Sequence, residues 1–290
     1  MLFYLFLEVR VKNMNNVLSI AGSDCSAGAG IQADLKTFVA NGVYGMTVIT
    51  SLTAQNPQKV KMLEDVSIEM LEKQIEAIFD VMEVSAVKIG MLNSKENGEV
   101  IYEKLLKYKV KNIVLDPVMI ATSGNSLIKD ETKDFLVNKL FKIVDIITPN
   151  LDETKEIVKM ILNNENIENI DSIEKMKNYG KVIADFTKRW VLIKGGHLSN
   201  SAVDILMNKD EIYILEGEKI SSNNTHGTGC SLSSAIASNL AKGYSMLDSV
   251  KKAKNFVLYS IKNSIDFGEI SGTVNQMGEI YKNIDIEKLY

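Results

Sequence analysis

The chain has little of what builds disulfide frameworks, metal clusters or stiff linkers: two cysteines, two histidines and three prolines in 290 residues. Cys25 and Cys230 lie far apart, which argues against a disulfide scaffold and suits a reducing cytosol, so both are read as free thiols. His197 and His226 lack metal-ligand spacing, which argues against a structural zinc site. Thirty-three basic residues against 37 acidic ones leave a net charge of −4, without the basic field that holds nucleic acid. The longest early apolar run, residues 2–7, is too short to span a bilayer and lacks the basic start and small-residue cleavage site of a signal peptide. Neither a membrane nor a nucleic acid is therefore expected as a partner. Residues 1–13 are read as an upstream start-site extension or an added edge strand, with Met14 an equally good start. No repeat, low-complexity tract or Pro/Gly/Ser-rich linker divides the rest, so residues 14–290 are read as one domain.

What is present is an alternation of short apolar runs and longer helical patterns. "NVLSIAG" precedes a helix over 31–41, "MTVITSL" one over 68–81, and "AVKIGML" one over 96–108. The pattern continues through "NIVLDP", "VDIITP" and "WVLIKGG", and two last helices are expected over 229–242 and 246–263. Such alternation predicts an α/β fold with several buried parallel strands in a doubly wound sheet. Two apolar runs around Asn208, Lys209 and Asp210 predict a hairpin near the sheet edge, and the Asn-rich stretch 163–171 reads as a surface loop.

In open parallel sheets, ligands bind outside the carboxyl ends of the strands. The polar residues found there are Gly22, Ser23 and Asp24; Gln55 and Asn56; Asp116; Asn150 and Glu153; Lys194 and His197; Met91 and Val118 stand among them. Pro117 and Pro149 directly follow strand ends and fix the direction in which the chain leaves. Asp116 and Glu153 can hold Mg²⁺ through waters, and Lys194 can neutralise a transferred phosphate; an acid in a first helical turn is also a simple cap.

Two glycine turns frame the candidate site. "GSDCSAGAG", residues 22–30, has neither the spacing of a Walker A loop nor that of the dinucleotide fingerprint, and reads either as a ligand loop or as a tight strand-to-helix turn. "THGTGCS" is sharper: the amides of Gly227, Thr228, Gly229 and Cys230 are expected to converge at a helix N-terminus as an anion hole. The same field is expected to lower the Cys230 thiol from about 8.5 toward neutrality, for work as a base or nucleophile; otherwise Cys230 is a small buried residue at a crowded helix start.

Taken in order from residue 16 to the last helices, "AGSDCSAGAGIQADLKTFVANGVYGMTVITSLTAQN", "KIGML", "VLDPVMIATSGNSLI", "ITPNLDE", "IKGGH" and "NNTHGTGCSLSSAIASNLAKG" resemble the hydroxymethylpyrimidine and phosphomethylpyrimidine kinases of thiamine biosynthesis, in the ribokinase-like superfamily. The resemblance implies a ribokinase-like α/β domain with a mostly parallel sheet flanked by helices on both faces, a small β lid, and a cytoplasmic homodimer. It implies ATP and Mg²⁺, and two successive transfers, first to the hydroxymethyl group of 4-amino-5-hydroxymethyl-2-methylpyrimidine and then to the resulting monophosphate. Carried over by motif, Asp116 and Glu153 serve Mg²⁺, and Asn150, Lys194, Thr225 and Gly229 serve the nucleotide. Gly22, Asp24, Gln55, Met91 and Val118 form the pyrimidine pocket, Gly227, Thr228 and Gly229 the anion hole, and Cys230 the base. Gln55 can bond bidentately to an adjacent ring nitrogen and amino group, a pair that pyridoxal lacks. The chain departs from the pattern at Ala27, where a second glycine is common, at Cys25, where Ser or Pro is usual, and in its N-terminal leader.

Three other readings compete. A pyridoxal-type kinase of the same superfamily shares the Cys motif, and Gln55 argues against it. A non-catalytic nucleotide- and pyrimidine-binding protein would be expected to have lost one of Cys230, Lys194, Asp116 or Glu153. A dinucleotide oxidoreductase needs the glycine fingerprint that is missing.

Overall fold

The computed structural model describes residues 14–119, 128–196 and 202–283. The leader, the centre of "VMIATSGNSLI" and His197 therefore lie outside the described residues.

In chain order the elements are β1 (Asn16–Asp24), α1 (Gly30–Ala40), β2 (Tyr44–Asn56), β3 (Lys59–Asp65), α2 (Ile68–Phe79), β4 (Ala86–Ile89), α3 (Lys95–Lys107), β5 (Ile113–Leu115), α4 (Asp130–Asn138), β6 (Ile146–Ile147), α5 (Leu151–Leu162), α6 (Ile173–Thr187), β7 (Trp190–Ile193), β8 (Asp204–Met207), β9 (Ile212–Leu215), α7 (Thr228–Ala241), α8 (Met246–Lys262) and α9 (Gly278–Asn283). Among the described residues all nine strands form one sheet in the order β3-β2-β1-β4-β5-β6-β7-β8-β9. From β2 to β7 neighbouring strands run parallel; β3 at one end and β8 and β9 at the other are antiparallel. The strand order reverses between β1 and β4, so the loops leaving them diverge and open a crevice at their carboxyl ends.

The parallel strands are apolar on both sides because helices cover both faces. On one face Leu18, Ile20, Val87 and Ile89 pack with Leu71, Ile101, Phe135, Ile157 and Ile183 of α2 to α6. On the other, Val17, Val114, Ile146 and Leu192 pack with Phe38, Ile236 and Val250 of α1, α7 and α8. Local chemistry fixes where helices begin: Ser67, Ser94, Ser172 and Ser245 each accept an amide of the first turn at α2, α3, α6 and α8.

The hairpin around Asn208–Asp210 forms as expected, its turn held by the Asn208 side chain accepting the amides of Asp210 and Glu211 at 2.8 Å each. Residues 163–171 carry no helix or strand. Two elements escaped sequence reasoning: the short α9, beyond the two helices expected to be last, and β3, which folds back on β2 as an antiparallel ribbon. The residues of β3 are mostly exposed and charged, so it has no apolar run to announce it; Val60 and Met62 are open to solvent. The ribbon stands over the crevice as the small β lid.

Candidate active site

A cleft of about 330 Å³ opens at the reversal point of the sheet. It is lined by Gly22 and Asp24 from β1, Gln55 and the lid residues 56–60, Met91 after β4, Asp116 and Val118 after β5, Asn150 and Glu153 at α5, Lys194 after β7, and Gly227, Gly229 and Cys230 at α7. Most of the expected site residues thus meet in one place although they come from seven separate segments. Thr225 and Thr228 stand apart. Thr228 turns away from the cleft, its amide and hydroxyl both donating to the Thr225 carbonyl at 3.2 and 2.7 Å. The expected four-amide cradle loses one member, because the Thr228 amide closes the turn instead.

The remaining turn is tight. Gly227 has φ +87°, and a Cβ there would stand 1.9 Å from the Gly28 carbonyl oxygen, so only glycine brings the two glycine loops this close. Gly229 needs no special dihedral but leaves room: a Cβ would lie 3.2 Å from Asp116 Oδ2 and 3.4 Å from Lys194 Nζ. The first turn of α7 therefore sits directly against this ion pair.

Asp24 lines the cleft, yet its carboxylate is committed to the loop. Oδ1 accepts the Ser26 amide and hydroxyl at 2.8 and 2.7 Å, and Oδ2 accepts the amides of Gly28 and Ala29 and meets His226 Nε2 at 3.2 Å. Burial alone would raise this acid, but the bonds from His226, Ser26 and Ala29 outweigh it and hold the carboxyl well below the usual range. Its work is to shape residues 22–30 and pin them to the second glycine turn. Sequence pattern could not show that pairing, which spans 202 residues. From beneath, Thr273 Oγ1 and the Val274 amide donate to the His226 carbonyl at 3.0 and 3.2 Å. Gln276 Nε2 donates to Ser231 Oγ at 3.0 Å, again in a stretch with no motif.

Gln55 ends β2 at the lid. Its carbonyl accepts the exposed Cys25 thiol at 3.2 Å, while its side-chain amide has no hydrogen-bond partner among the described residues and faces the cleft.

Asn150 and Glu153 form a capping box on α5: Asn150 Oδ1 accepts the Glu153 amide and Glu153 Oε2 accepts the Asn150 amide, both at 2.8 Å. The cap and the site are one device, for the box fixes the buried Glu153 carboxyl at the cleft. Burial pushes Glu153 up to about 7; Lys194 opposes the rise and the negative charge of Asp116 adds to it. Asp116 Oδ1 accepts Thr148 Oγ1 at 3.1 Å and Lys194 Nζ at 2.8 Å. Burial would lower Lys194, but Asp116 and Glu153 more than reverse this and keep it cationic.

Cys230 departs from expectation. It occupies the third position of α7, and the Gly30 amide at the start of α1 also faces its sulfur, so two helix N-termini meet there. Even so, burial dominates: the thiol is pushed up to about 11, with Lys88 opposing and Asp34 and Asp116 adding to the rise. The thiol of the resting protein is protonated, not lowered toward neutrality. The motif disclosed the helix dipole but not the charged surroundings of the sulfur.

Those surroundings include a pair that sequence reasoning passed over. Lys88 Nζ donates to both oxygens of Asp34 at 2.9 and 2.8 Å, with both side chains fully buried. Ser19 and Ser234 donate to the same carboxylate at 2.5 and 2.7 Å. A signal was available: one lysine within the apolar strand Ala86–Ile89 must be paired.

Among the described residues no group of three or more His, Cys, Asp or Glu is arranged to hold a metal ion. Asp116 and Glu153 form a two-carboxylate, oxygen-only set of the kind Mg²⁺ uses while keeping most of its waters. Burial is what most raises Glu153, and a bound cation would favour its ionised form against that burial.

A family model for phosphomethylpyrimidine kinase matches residues 24–275. The hydroxymethylpyrimidine/phosphomethylpyrimidine kinase of Aquifex aeolicus is 42% identical over 253 residues, covering 87% of this chain and 96% of that protein. The crystal structure of phosphomethylpyrimidine kinase from Clostridium difficile superimposes with a TM-score of 0.74 at 44% identity, covering 84% of this chain and 98% of the other. An ADP complex of Bacillus subtilis pyridoxal kinase gives a TM-score of 0.83 at 32% identity, covering 93% and 100%.

Proposed function

This chain belongs to the phosphomethylpyrimidine kinase family, and from that premise we propose that it transfers the γ-phosphoryl group of ATP to 4-amino-5-hydroxymethyl-2-methylpyrimidine and then to the monophosphate so formed. The observation that carries this reading is the convergence in one cleft of Gln55, the Asp116–Lys194 pair, Glu153 and the α7 N-terminus with Cys230.

Each residue has work that follows from its place. The free Gln55 amide, with Gly22, Met91 and Val118 around it, orients the aminopyrimidine ring. Asn150 and Thr225 serve the nucleotide side, Asn150 from the α5 cap and Thr225 from the exposed rim. Asp116 and Glu153 would hold Mg²⁺, which supplies neutralising charge to the phosphates when bound. The Lys194 ammonium and the amides at Gly227, Gly229 and Cys230 are fixed positive groups where charge develops on the transferring phosphoryl. In the first step the substrate hydroxyl oxygen forms a bond to the γ-phosphorus, the bond to ADP breaks, and the hydroxyl proton goes to the Cys230 sulfur. Because the resting thiol is protonated, this step draws on its thiolate fraction and rises with pH through the neutral and mildly alkaline range. In the second step the nucleophile is an ionised phosphate oxygen and no base is needed.

The exposed outer edge at β3, with Val60 and Met62 on the ribbon and Leu52 beside them, supports a homodimer. No helix among the described residues is long and apolar enough to cross a membrane, and we place the enzyme in the cytoplasm.

The structural likeness to a pyridoxal kinase supports pyridoxal as a second substrate class. ATP-dependent turnover of the pyrimidine alcohol, its monophosphate and pyridoxal decides between them. Both pyrimidines are expected to outrun pyridoxal. Pyridoxal as the better substrate would overturn the Gln55 assignment, and ligand binding without turnover would overturn the kinase.

A further inference from the structure

Among the described residues, the Lys88–Asp34 pair is a charged cluster beside the cleft to which the reaction above gives no work. A sealed pair is costly to desolvate, and here its place is specific. Lys88 on β4 and Cys230 on α7 border the same cleft. Ser234, one helical turn after Cys230, donates to Asp34 Oδ1, and Asp34 in turn holds Lys88. The second turn of α7, just past Cys230, is thereby tied to α1 and to the sheet through one carboxylate. The absence of a side chain at Gly90 preserves the ammonium's position, since a Cβ there would lie 2.8 Å from Lys88 Nζ.

We propose that Lys88 is a positioning residue for the first phosphoryl transfer: clamped by Asp34, its ammonium is the fixed cation set against the Cys230 sulfur from the sheet side. This rests on the reading of Cys230 as the proton acceptor and deepens it. The charged groups that act on the sulfur are Lys88 from β4, Asp34 from α1, Asp116 after β5 and Lys194 after β7. Lys88 favours the thiolate, whereas Asp34 and Asp116 oppose it. Lys194 meets Asp116 directly and is partly spent on it. Lys88 is held charged because Asp34 more than reverses the effect of its burial. The pair thus sets the proton affinity of the thiol without touching substrate.

The test uses the nucleotide-free protein in a Cys25→Ser background, where Cys230 is the single thiol. The pH dependence of its alkylation by iodoacetamide, followed from about pH 7.5 to 10.5, reports the thiolate fraction. Lys88→Met is expected to move the profile in the alkaline direction, leaving about tenfold less thiolate at a given pH. Lys88→Arg is expected to leave it near the parent. The double change Lys88→Met with Asp34→Asn, which removes the pair without stranding a buried charge, is expected to move it the same way by less, and it serves if Lys88→Met alone does not fold. A profile in Lys88→Met that stays with the parent or moves in the acid direction, or one in Lys88→Arg displaced as far as in Lys88→Met, would overturn the proposal, since lost packing alone has no reason to spare the variant that keeps the charge. The base reading has a separate failure: undiminished first-step turnover by Cys230→Ala would remove the base while leaving the thiol profiles as measured.

Discussion

Two lysine–carboxylate pairs act on Cys230, and they differ in what is left over. Lys88 and Asp34 are fully buried, and the carboxylate receives Ser19 and Ser234 besides the lysine. Lys194 and Asp116 meet at the same 2.8 Å, but Lys194 keeps 17% of its side-chain surface and both line the cleft. The first pair is closed: every strong partner is protein, so its charge acts on the fold and on its neighbours. The second is open and sits with a further carboxyl, Glu153, which its burial raises and Lys194 only partly restores. Equal distance does not mean equal role. What separates a structural ion pair from a ligand-binding one is whether the surroundings complete it.

The largest effect expected to bear on this contrast comes from removing the group both pairs act on. Cys230→Ala is expected to slow the first phosphorylation by about 10²–10⁴-fold and to leave the second nearly unchanged, because only an alcohol needs a base. Single-turnover rates with the alcohol and with its monophosphate check this, and equal losses in the two steps would show that the sulfur is packing.

Next comes the raised carboxyl beside the open pair. Glu153 has its folded-state value raised to about 7 from the ordinary 4.5. The stability that goes with the neutral acid is fully present below about pH 4.5 and is lost as pH rises through about 7. Glu153→Gln copies the neutral acid and can keep the capping box. The variant is expected to be more stable than the parent at pH 8, by about 3 kcal/mol, with the difference vanishing near pH 4.5. It is also expected to lose the added stability that Mg²⁺ gives the parent. Denaturant unfolding at the two pH values, with and without Mg²⁺, is the check; a gap independent of pH would mean that Glu153 is an ordinary cap.

A smaller effect is expected away from both pairs. Gln55→Ala removes a free amide at the lid, and we expect KM for the pyrimidine alcohol to rise about tenfold, or about 1.4 kcal/mol, with stability and the pyridoxal rate little changed. A parallel loss for pyridoxal would show that Gln55 orders the lid and does not read the ring.

The open pair was legible in the sequence and the closed one was not, for a physical reason. Asp116, Asn150, Glu153 and Lys194 follow apolar strands directly, and the carboxyl ends of parallel strands are where such residues converge. Asp34 lies within a helix whose pattern gives no sign of a buried acid, and its partners come 15, 54 and 200 residues away in the chain. Lys88 alone carried a signal, as a lysine inside a strand buried on both faces. The lid strand β3 was hidden for the opposite reason, since a ribbon that stands in solvent needs no apolar alternation. Cys230 was half legible: the glycine turn disclosed the helix N-terminus, but the competing burial depends on residues folded in from α1, β4 and β5.

The decisive experiment crosses the two lysines. Lys88→Met and Lys194→Met are to be compared by denaturant unfolding and by turnover of the pyrimidine alcohol and its monophosphate. Lys88→Met is predicted to lose about 3–5 kcal/mol of stability, the usual result of breaking a buried pair. Lys194→Met is predicted to stay within about 1 kcal/mol of the parent while both phosphorylations fall by about 10²–10³-fold. If Lys194→Met is the variant that unfolds, or if it turns over both pyrimidines at the parent rate, the division between a closed pair that holds the site and an open pair that serves the phosphoryl group is wrong.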